Sequence, residues 1–123
     1  IYGNINEDRD INYELRVSLS YIANKIRQSD IKGAVEIRKL NNTDALVISE
    51  VYDDERYETW IYFHEDGIYE MFTDEGTLFQ LSDGIKIVSV DSFTIDMVKN
   101  NLYKFTAVSK NKSSELYVSL YSN

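Results

Sequence analysis

The most constraining feature of the chain is a stretch over residues 11–26 in which apolar residues recur at the spacing of an α-helix. At about 100° per residue, five apolar side chains fall within an arc of roughly 80°, which predicts one buried helix face. Gly33 is suited to closing such a helix, so we predict a helix over residues 6–30, about 35–40 Å long. The residues of this buried stripe are Ile11, Leu15, Leu19, Ile22 and Ile26.

A second, weakly apolar stripe lies on nearly the opposite side of the same helix. Tyr13, Val17 and Tyr21 project there, with Ser20 and Asn24 between or beside them. The second stripe predicts either a further core contact within the chain or, because the first stripe already supplies the core, packing against another molecule, most simply another helix. The candidate partner-contact residues are therefore Tyr13, Val17, Tyr21 and Asn24.

After residue 34 the spacing of apolar residues changes from about 3.6 to about 2, which indicates β-strands. Asn41-Asn42 and Asp66-Gly67 predict tight turns, and residues 53–56 and 77–84 predict loops. The predicted fold class is α+β, with a long N-terminal amphipathic helix packed on an antiparallel β-meander of about seven strands. The predicted strands span residues 35–38, 45–52, 59–65, 68–73, 93–98, 102–108 and 116–120.

The third predicted strand carries aromatic residues on both faces. Trp60 and Tyr62 share one face of it, while Ile61 and Phe63 share the other. This pattern predicts a strand that is covered on both sides or that lies at an interface. A closed pocket lined by Trp60, Tyr62 and His64 would favour a ligand-binding module or an enzyme over a structural subunit.

The charge of the chain is concentrated in its middle third. Residues 41–83 hold twelve acidic residues against the single base Arg56, a net charge of −11, whereas the whole chain of 123 residues carries −8. This segment repels phosphate groups, which argues against binding to nucleic acid or to an anionic membrane. Two interpretations remain open: a solvated outer sheet kept soluble by charge, or a surface for a cation or a basic partner.

No motif for catalysis or for a cofactor is present in the sequence. The chain has no cysteine, so it lacks a thiol nucleophile and a thiolate metal site, and it fits a single domain over residues 1–123. The only histidine, His64, would need an orienting carboxylate, and Glu65 is expected to point to the other face of the strand. We expect no enzyme activity, cofactor or metal. The acidic groups considered for a metal or an acid–base pair, all expected in solvated turns, are Asp53, Asp54, Glu55, Glu58, Asp74 and Glu75.

The helix and two later segments carry resemblances to known families. Residues 16–30 read RVSLSYIANKIRQSD, and this long helix followed by an antiparallel sheet resembles the soluble part of type IV pilin-like minor pseudopilins. The same helix, with YETWIY at residues 57–62 and ELYVSL at residues 115–120, also resembles a bacterial family designated domain of unknown function 4860. The second resemblance spans nearly the whole chain.

The pilin resemblance implies an extracytoplasmic domain at the cell surface, anchored by a single N-terminal membrane helix that precedes Ile1 and continues into the predicted helix. It implies a non-enzymatic structural or interaction subunit of a bacterial surface or secretion apparatus. Its partners would be other pilin-like subunits, which contact the N-terminal helix. The alternatives are a small-ligand or peptide-binding module of cystatin-like or nuclear-transport-factor-like architecture, or a hydrolase or isomerase on that second fold.

Overall fold

A long helix opens the chain. The computed structural model describes residues 2–29 and 34–120, with the side chains of residues 12–28 in the helix. Helix α1 spans Tyr2–Ser29, 28 residues or about 42 Å. It therefore begins four residues earlier than the predicted bound at residue 6 and ends one residue before the predicted bound at residue 30. The early start is compatible with the sequence, because no proline interrupts residues 2–6.

Five antiparallel strands form the larger of two sheets. They follow the chain order, so each strand pairs with the next one along the sequence. A short 3₁₀ helix, Leu81–Asp83, interrupts the long connection before the fifth strand. The strands are β1 Val35–Leu40, β2 Thr43–Tyr52, β3 Glu55–His64, β4 Gly67–Asp74 and β5 Ile85–Ser89.

Three further strands form a second antiparallel sheet, so the predicted single meander is divided in two. They are β6 Ser92–Lys99, β7 Leu102–Ser109 and β8 Lys112–Ser119. The chain leaves the first sheet at the end of β5, where Val90 N–H donates to the Asp66 carbonyl and Asp91 N–H to the Val108 carbonyl. The sequence prediction lacked β5, whose burial pattern does not alternate in the way that the prediction required.

Two predicted connections are tighter than expected. Residues 53–56 do not form a loop, because Asp53 and Asp54 take positive φ angles of 51° and 67° in a two-residue turn and β3 starts at the next residue. The Asp66-Gly67 turn is shifted by one residue, since the turn residues are Glu65 and Asp66 and Gly67 opens β4. Gly67 is needed for close approach: a Cβ there would lie 2.5 Å from the Val88 carbonyl oxygen.

The main hydrophobic core lies between α1 and both sheets. Leu15, Leu19, Ile22 and Ile26 are buried, as their stripe predicts, while the side chain of Ile11 lies outside the described residues. We call the side of the larger sheet that faces α1 the inner face. One cluster joins the helix stripe to that inner face and to the smaller sheet through residues including Ile48, Ile61, Ile68, Phe93 and Phe105.

The opposite, outer face of the larger sheet carries a second core. Trp60 and Tyr62 are buried there, and Phe79 and Leu81 from the connection after β4 pack against them. The Tyr62 hydroxyl donates to the Leu81 carbonyl at 2.6 Å. The prediction that β3 is covered on both faces is therefore confirmed, and the cover on the outer side is a loop of the same chain.

Candidate functional site

Among the side chains of residues 12–28, the outward face of α1 is the most exposed apolar feature of the helix. Tyr13, Val17 and Tyr21 have 64%, 48% and 36% of their surface exposed. They lie opposite the buried stripe and face solvent, although the Tyr21 hydroxyl also contacts Glu70 on the larger sheet. The structure thus places these three predicted contact residues on the surface of the domain.

A groove runs along one side of this helix face. It encloses about 550 Å³ between α1 and β5, and Tyr13, Val17 and Tyr21 form its helical wall. The opposite wall is residues 86–89, which belong to an edge strand of the larger sheet. The three predicted residues therefore line one continuous depression that is open to solvent.

Tyr21 is fixed in this wall by contacts with the larger sheet. Its hydroxyl donates to both carboxylate oxygens of Glu70, at 3.0 and 2.8 Å. Lys25 Nζ lies 3.9 Å from Glu70 Oε2 and 5.6 Å from the centroid of the Tyr21 ring. Partial burial, together with the hydrogen bond and the charge of Glu70, raises the pKa of Tyr21 to about 12. The ring is neutral at physiological pH and held in one orientation.

Asn24 lies on the side of α1 that faces β8, away from the groove beside β5. It lines a second groove of about 440 Å³ between α1 and β8, together with Arg16 and Ser20. Its amide oxygen accepts a hydrogen bond from Arg27 at 3.2 Å. The four predicted contact residues thus form a ridge rather than a single pocket, with Asn24 facing the second groove.

The space beside Trp60 and Tyr62 on the outer face is filled by the chain itself. The Phe79 ring lies 5.5 Å from that of Trp60 and 6.2 Å from that of Tyr62, measured between centroids. His64 sits at the end of β3, with its ring edge-on to Tyr69 at 5.3 Å. A packed second core thus occupies the place where a closed pocket lined by Trp60, Tyr62 and His64 would have favoured a ligand-binding module or an enzyme.

The expectation that Glu65 would point away from His64 is wrong. Glu65 lies in the turn after β3 with a φ of 51°, and its Oε1 is 3.6 Å from His64 Nε2. The reason is that the strand ends at His64, so the alternation of faces no longer applies to the next residue. The contact is a loose surface pair, because the Glu65 side chain is largely exposed.

Glu58 is also corrected by the structure, since it is buried within β3 instead of lying in a solvated turn. Its carboxylate accepts from Arg38 Nη1 at 2.8 Å and from Trp60 Nε1 at 3.2 Å. Partial burial of Arg38 lowers its pKa, but bonds to Glu58 and Glu36 outweigh this and raise the pKa overall. Among the residues described by the structure, no three His, Asp or Glu side chains are grouped to hold a metal ion.

The structure also reveals a surface feature that the sequence analysis did not single out. Tyr52, Tyr57 and Phe72 form a row of neighbouring rings on the inner face of the larger sheet, which we call the aromatic strip. A sequence signal for it exists, because Glu-x-aromatic ends on each of its three rings, at residues 50–52, 55–57 and 70–72. Residues two apart in a strand share a face, so this spacing places a carboxylate beside each ring.

Comparison with known proteins gives one family. A family model described as Domain of unknown function (DUF4860) matches residues 13–110. No curated protein and no solved structure matches the chain. Within the described residues, no helix has the length and apolar character needed to cross a membrane.

Proposed function

The chain belongs to the DUF4860 family, and we propose that it acts as a non-enzymatic, pilin-like structural or interaction subunit of a bacterial surface or secretion apparatus. The observation that carries this proposal is the second stripe of α1. Tyr13, Val17 and Tyr21 remain exposed, although Leu15, Leu19, Ile22 and Ile26 of the opposite stripe are buried. A helix that already holds its own domain together has a free face for another subunit.

The shape of this face suits a helical partner. Tyr13, Val17 and Tyr21 are spaced four residues apart and form a ridge of the kind that packs into the groove of a second helix. Grooves of about 550 and 440 Å³ flank the ridge on its two sides. These grooves offer space for the ridges of a neighbouring helix, with Asn24 available for a hydrogen bond across the contact.

In this proposal the domain works outside the cytoplasm, at the cell surface. A single membrane helix preceding Ile1 would tether it and would continue into α1, as the pilin resemblance of residues 16–30 implies. Neighbouring pilin-like subunits would then align their helices side by side. The sheets would lie on the outside of such an assembly.

Crosslinking through introduced cysteines tests the contact directly, because the chain has no cysteine of its own. We expect Val17→Cys in the full-length protein to crosslink to a neighbouring subunit in the native cell when a short thiol-reactive linker is added. The control is Tyr117→Cys, on the exposed face of β8 in the smaller sheet. Equal crosslinking at both positions would argue against a specific helix contact.

A triple substitution tests whether the ridge is required. Tyr13→Lys, Val17→Lys and Tyr21→Lys together are expected to abolish assembly, because three ammonium groups cannot be buried in a helix interface. Folding should persist at somewhat lower stability, since the exposed Tyr13 and Val17 positions each contribute about 0.5 kcal/mol and loss of the Tyr21–Glu70 hydrogen bond about 1 kcal/mol. The melting temperature of the purified domain checks folding. Normal assembly of this variant would overturn the proposal.

A further inference from the structure

The aromatic strip lies on a part of the inner face that α1 does not cover. Glu70 on β4 marks the point where Tyr21 and Lys25 contact the sheet, and Phe72 lies two residues farther along the same face. The rings of Tyr57 and Phe72 stack at 5.4 Å with an angle of 15°, and Tyr52 lies 5.9 Å from Tyr57. Tyr52 and Phe72 are 53% and 55% exposed, so more than half of each surface meets solvent.

Carboxylates border this strip on the same face. The strand register pairs Tyr52 with Glu55, and Glu50 with Tyr57, and Tyr57 also pairs with Asp74. The Tyr52 hydroxyl donates to Glu50 at 2.8 Å and the Tyr57 hydroxyl to Glu55 at 2.9 Å. These bonds hold the two carboxylates at the hydroxyl ends of the rings and leave each of them with free acceptor positions.

The chain uses the same combination of groups twice to hold its own cations. On the outer face, the Arg38 guanidinium lies 5.5 Å from the Trp60 ring centroid and is bonded to Glu58 and Glu36. On the helix, Lys25 lies over the Tyr21 ring beside Glu70. In both places an aromatic ring donates its polar hydrogen to a glutamate, and a cation contacts the ring and that glutamate. The attraction of a cation to a ring face at this distance is well established.

The aromatic strip is a third combination of aromatic rings with hydrogen-bonded glutamates. Within residues 12–28 and 34–120, no Lys or Arg lies over its rings or forms an ion pair with Glu50 or Glu55. We propose that Tyr52, Tyr57 and Phe72, with Glu50 and Glu55, bind an arginine side chain from a basic segment of a partner protein. The surrounding segment, with a net charge of −11 over residues 41–83, attracts such a segment.

Arginine fits this surface better than other ligands. Its planar guanidinium stacks on aromatic rings and presents paired N–H groups to a carboxylate, as Arg38 does on the outer face. A neutral sugar gains nothing from the net charge of −11 over residues 41–83, whereas a guanidinium is attracted by it. A phosphate-bearing ligand is repelled by the carboxylates. The strip and the helix ridge are separate surfaces, so this inference does not depend on the proposed assembly role.

Calorimetric titration with short peptides tests the proposal. The probe is a glycine-spaced peptide with two arginines, and the matched controls replace both arginines by lysine or by neutral citrulline. We expect the arginine peptide to bind, the lysine peptide to bind more weakly, and the citrulline peptide to lose at least about tenfold in affinity. Equal binding of the arginine and citrulline peptides would overturn the proposal.

Matched variants separate the strip from general attraction to an acidic protein. Tyr52→Leu and Tyr57→Leu should each weaken arginine-peptide binding by about threefold to tenfold. Tyr117→Leu removes an exposed tyrosine from the smaller sheet, so it should leave binding unchanged. Glu50→Gln should weaken binding more than Asp96→Asn, which removes an equal charge from β6.

Two results with these variants would refute the strip as the binding surface. One is undiminished binding of the arginine peptide by a Tyr52→Leu, Tyr57→Leu double variant. The other is an equal loss for Glu50→Gln and Asp96→Asn. The fluorescence of the single tryptophan, Trp60, reports that each variant is folded, because this ring is buried on the outer face.

Discussion

At the scale of single residues, Tyr21 links the proposed contact face to the core. Its hydroxyl is hydrogen-bonded to Glu70, which lies on β4, so one side chain both anchors α1 and lines the outward groove. This contact makes the stability of the protein depend on pH in the alkaline range. The folded state holds the Tyr21 proton with a pKa of about 12, whereas the ordinary value is 10.0.

The contribution of Tyr21 to stability is complete below about pH 10 and is lost as the pH rises toward about 12, because the folded state binds its proton more tightly. Tyr21→Phe should therefore reduce the free energy of unfolding by about 0.5 kcal/mol at about pH 9, a figure discounted for partial exposure. The difference from wild type should shrink by about pH 12. Urea unfolding measures both values.

Tyr13→Phe is the control for this pH dependence, since Tyr13 lies on the same helix face and is largely exposed. The two variants should differ at about pH 9 and converge at high pH. If Tyr21→Phe keeps the same deficit across the whole range, the bond to Glu70 is not the source of the effect.

For single residues, the sequence predicted which side chains are exposed better than it predicted which charged side chains pair. The exposure of the Tyr13 and Val17 side chains could be predicted from helical spacing alone. The burial of Glu58 could not be predicted from local spacing. Its partner Arg38 lies on another strand, and only strand pairing brings the two together. The Glu-x-aromatic spacing is consistent with Glu58 and Trp60 sharing one face, but it does not identify the cation that pairs with Glu58.

At the scale of elements, the connection between β4 and β5 acts as a structural cover. It was predicted as a loop, and it places Phe79 against Trp60 and Tyr62 on the outer face. Its polar residues gave no sign of this role, because a loop that packs by one or two aromatic side chains has no periodicity. Strand β5 was missed for a related reason, since most of its side chains are not buried.

Phe79→Ala should open this cover. We expect a loss of about 2 kcal/mol in the free energy of unfolding, less than for a fully buried phenylalanine because Phe79 is only partly buried. Trp60 emission should shift to longer wavelength as water reaches the ring. Leu78→Ala is the matched control, since its neighbour Leu78 is 96% exposed and should change neither quantity. An unshifted Trp60 spectrum in Phe79→Ala would show that the loop is not what excludes water.

At the scale of the whole molecule, the division into two sheets is what the sequence could not predict. Alternation of apolar residues identifies the buried face of each strand, and it did so for Leu116 and Val118 on β8. It does not identify which strand pairs with which, because pairing depends on contacts between distant parts of the chain. The α+β class was predicted because the change of period near residue 34 is local.

The two sheets share one core, which predicts that they unfold together. Phe105 on β7 is fully buried and belongs to the cluster that also contains Ile61 of β3. Phe105→Leu should lower the free energy of unfolding by about 1–2 kcal/mol. The loss should appear equally in Trp60 fluorescence, which reports the larger sheet, and in hydrogen exchange of β7 amides, which reports the smaller one.

Thr94→Ala, at an exposed position of β6, is the control. Two separate transitions, with only the β7 signal shifted, would mean that the smaller sheet folds as an independent unit and that the shared cluster does not couple it to the rest.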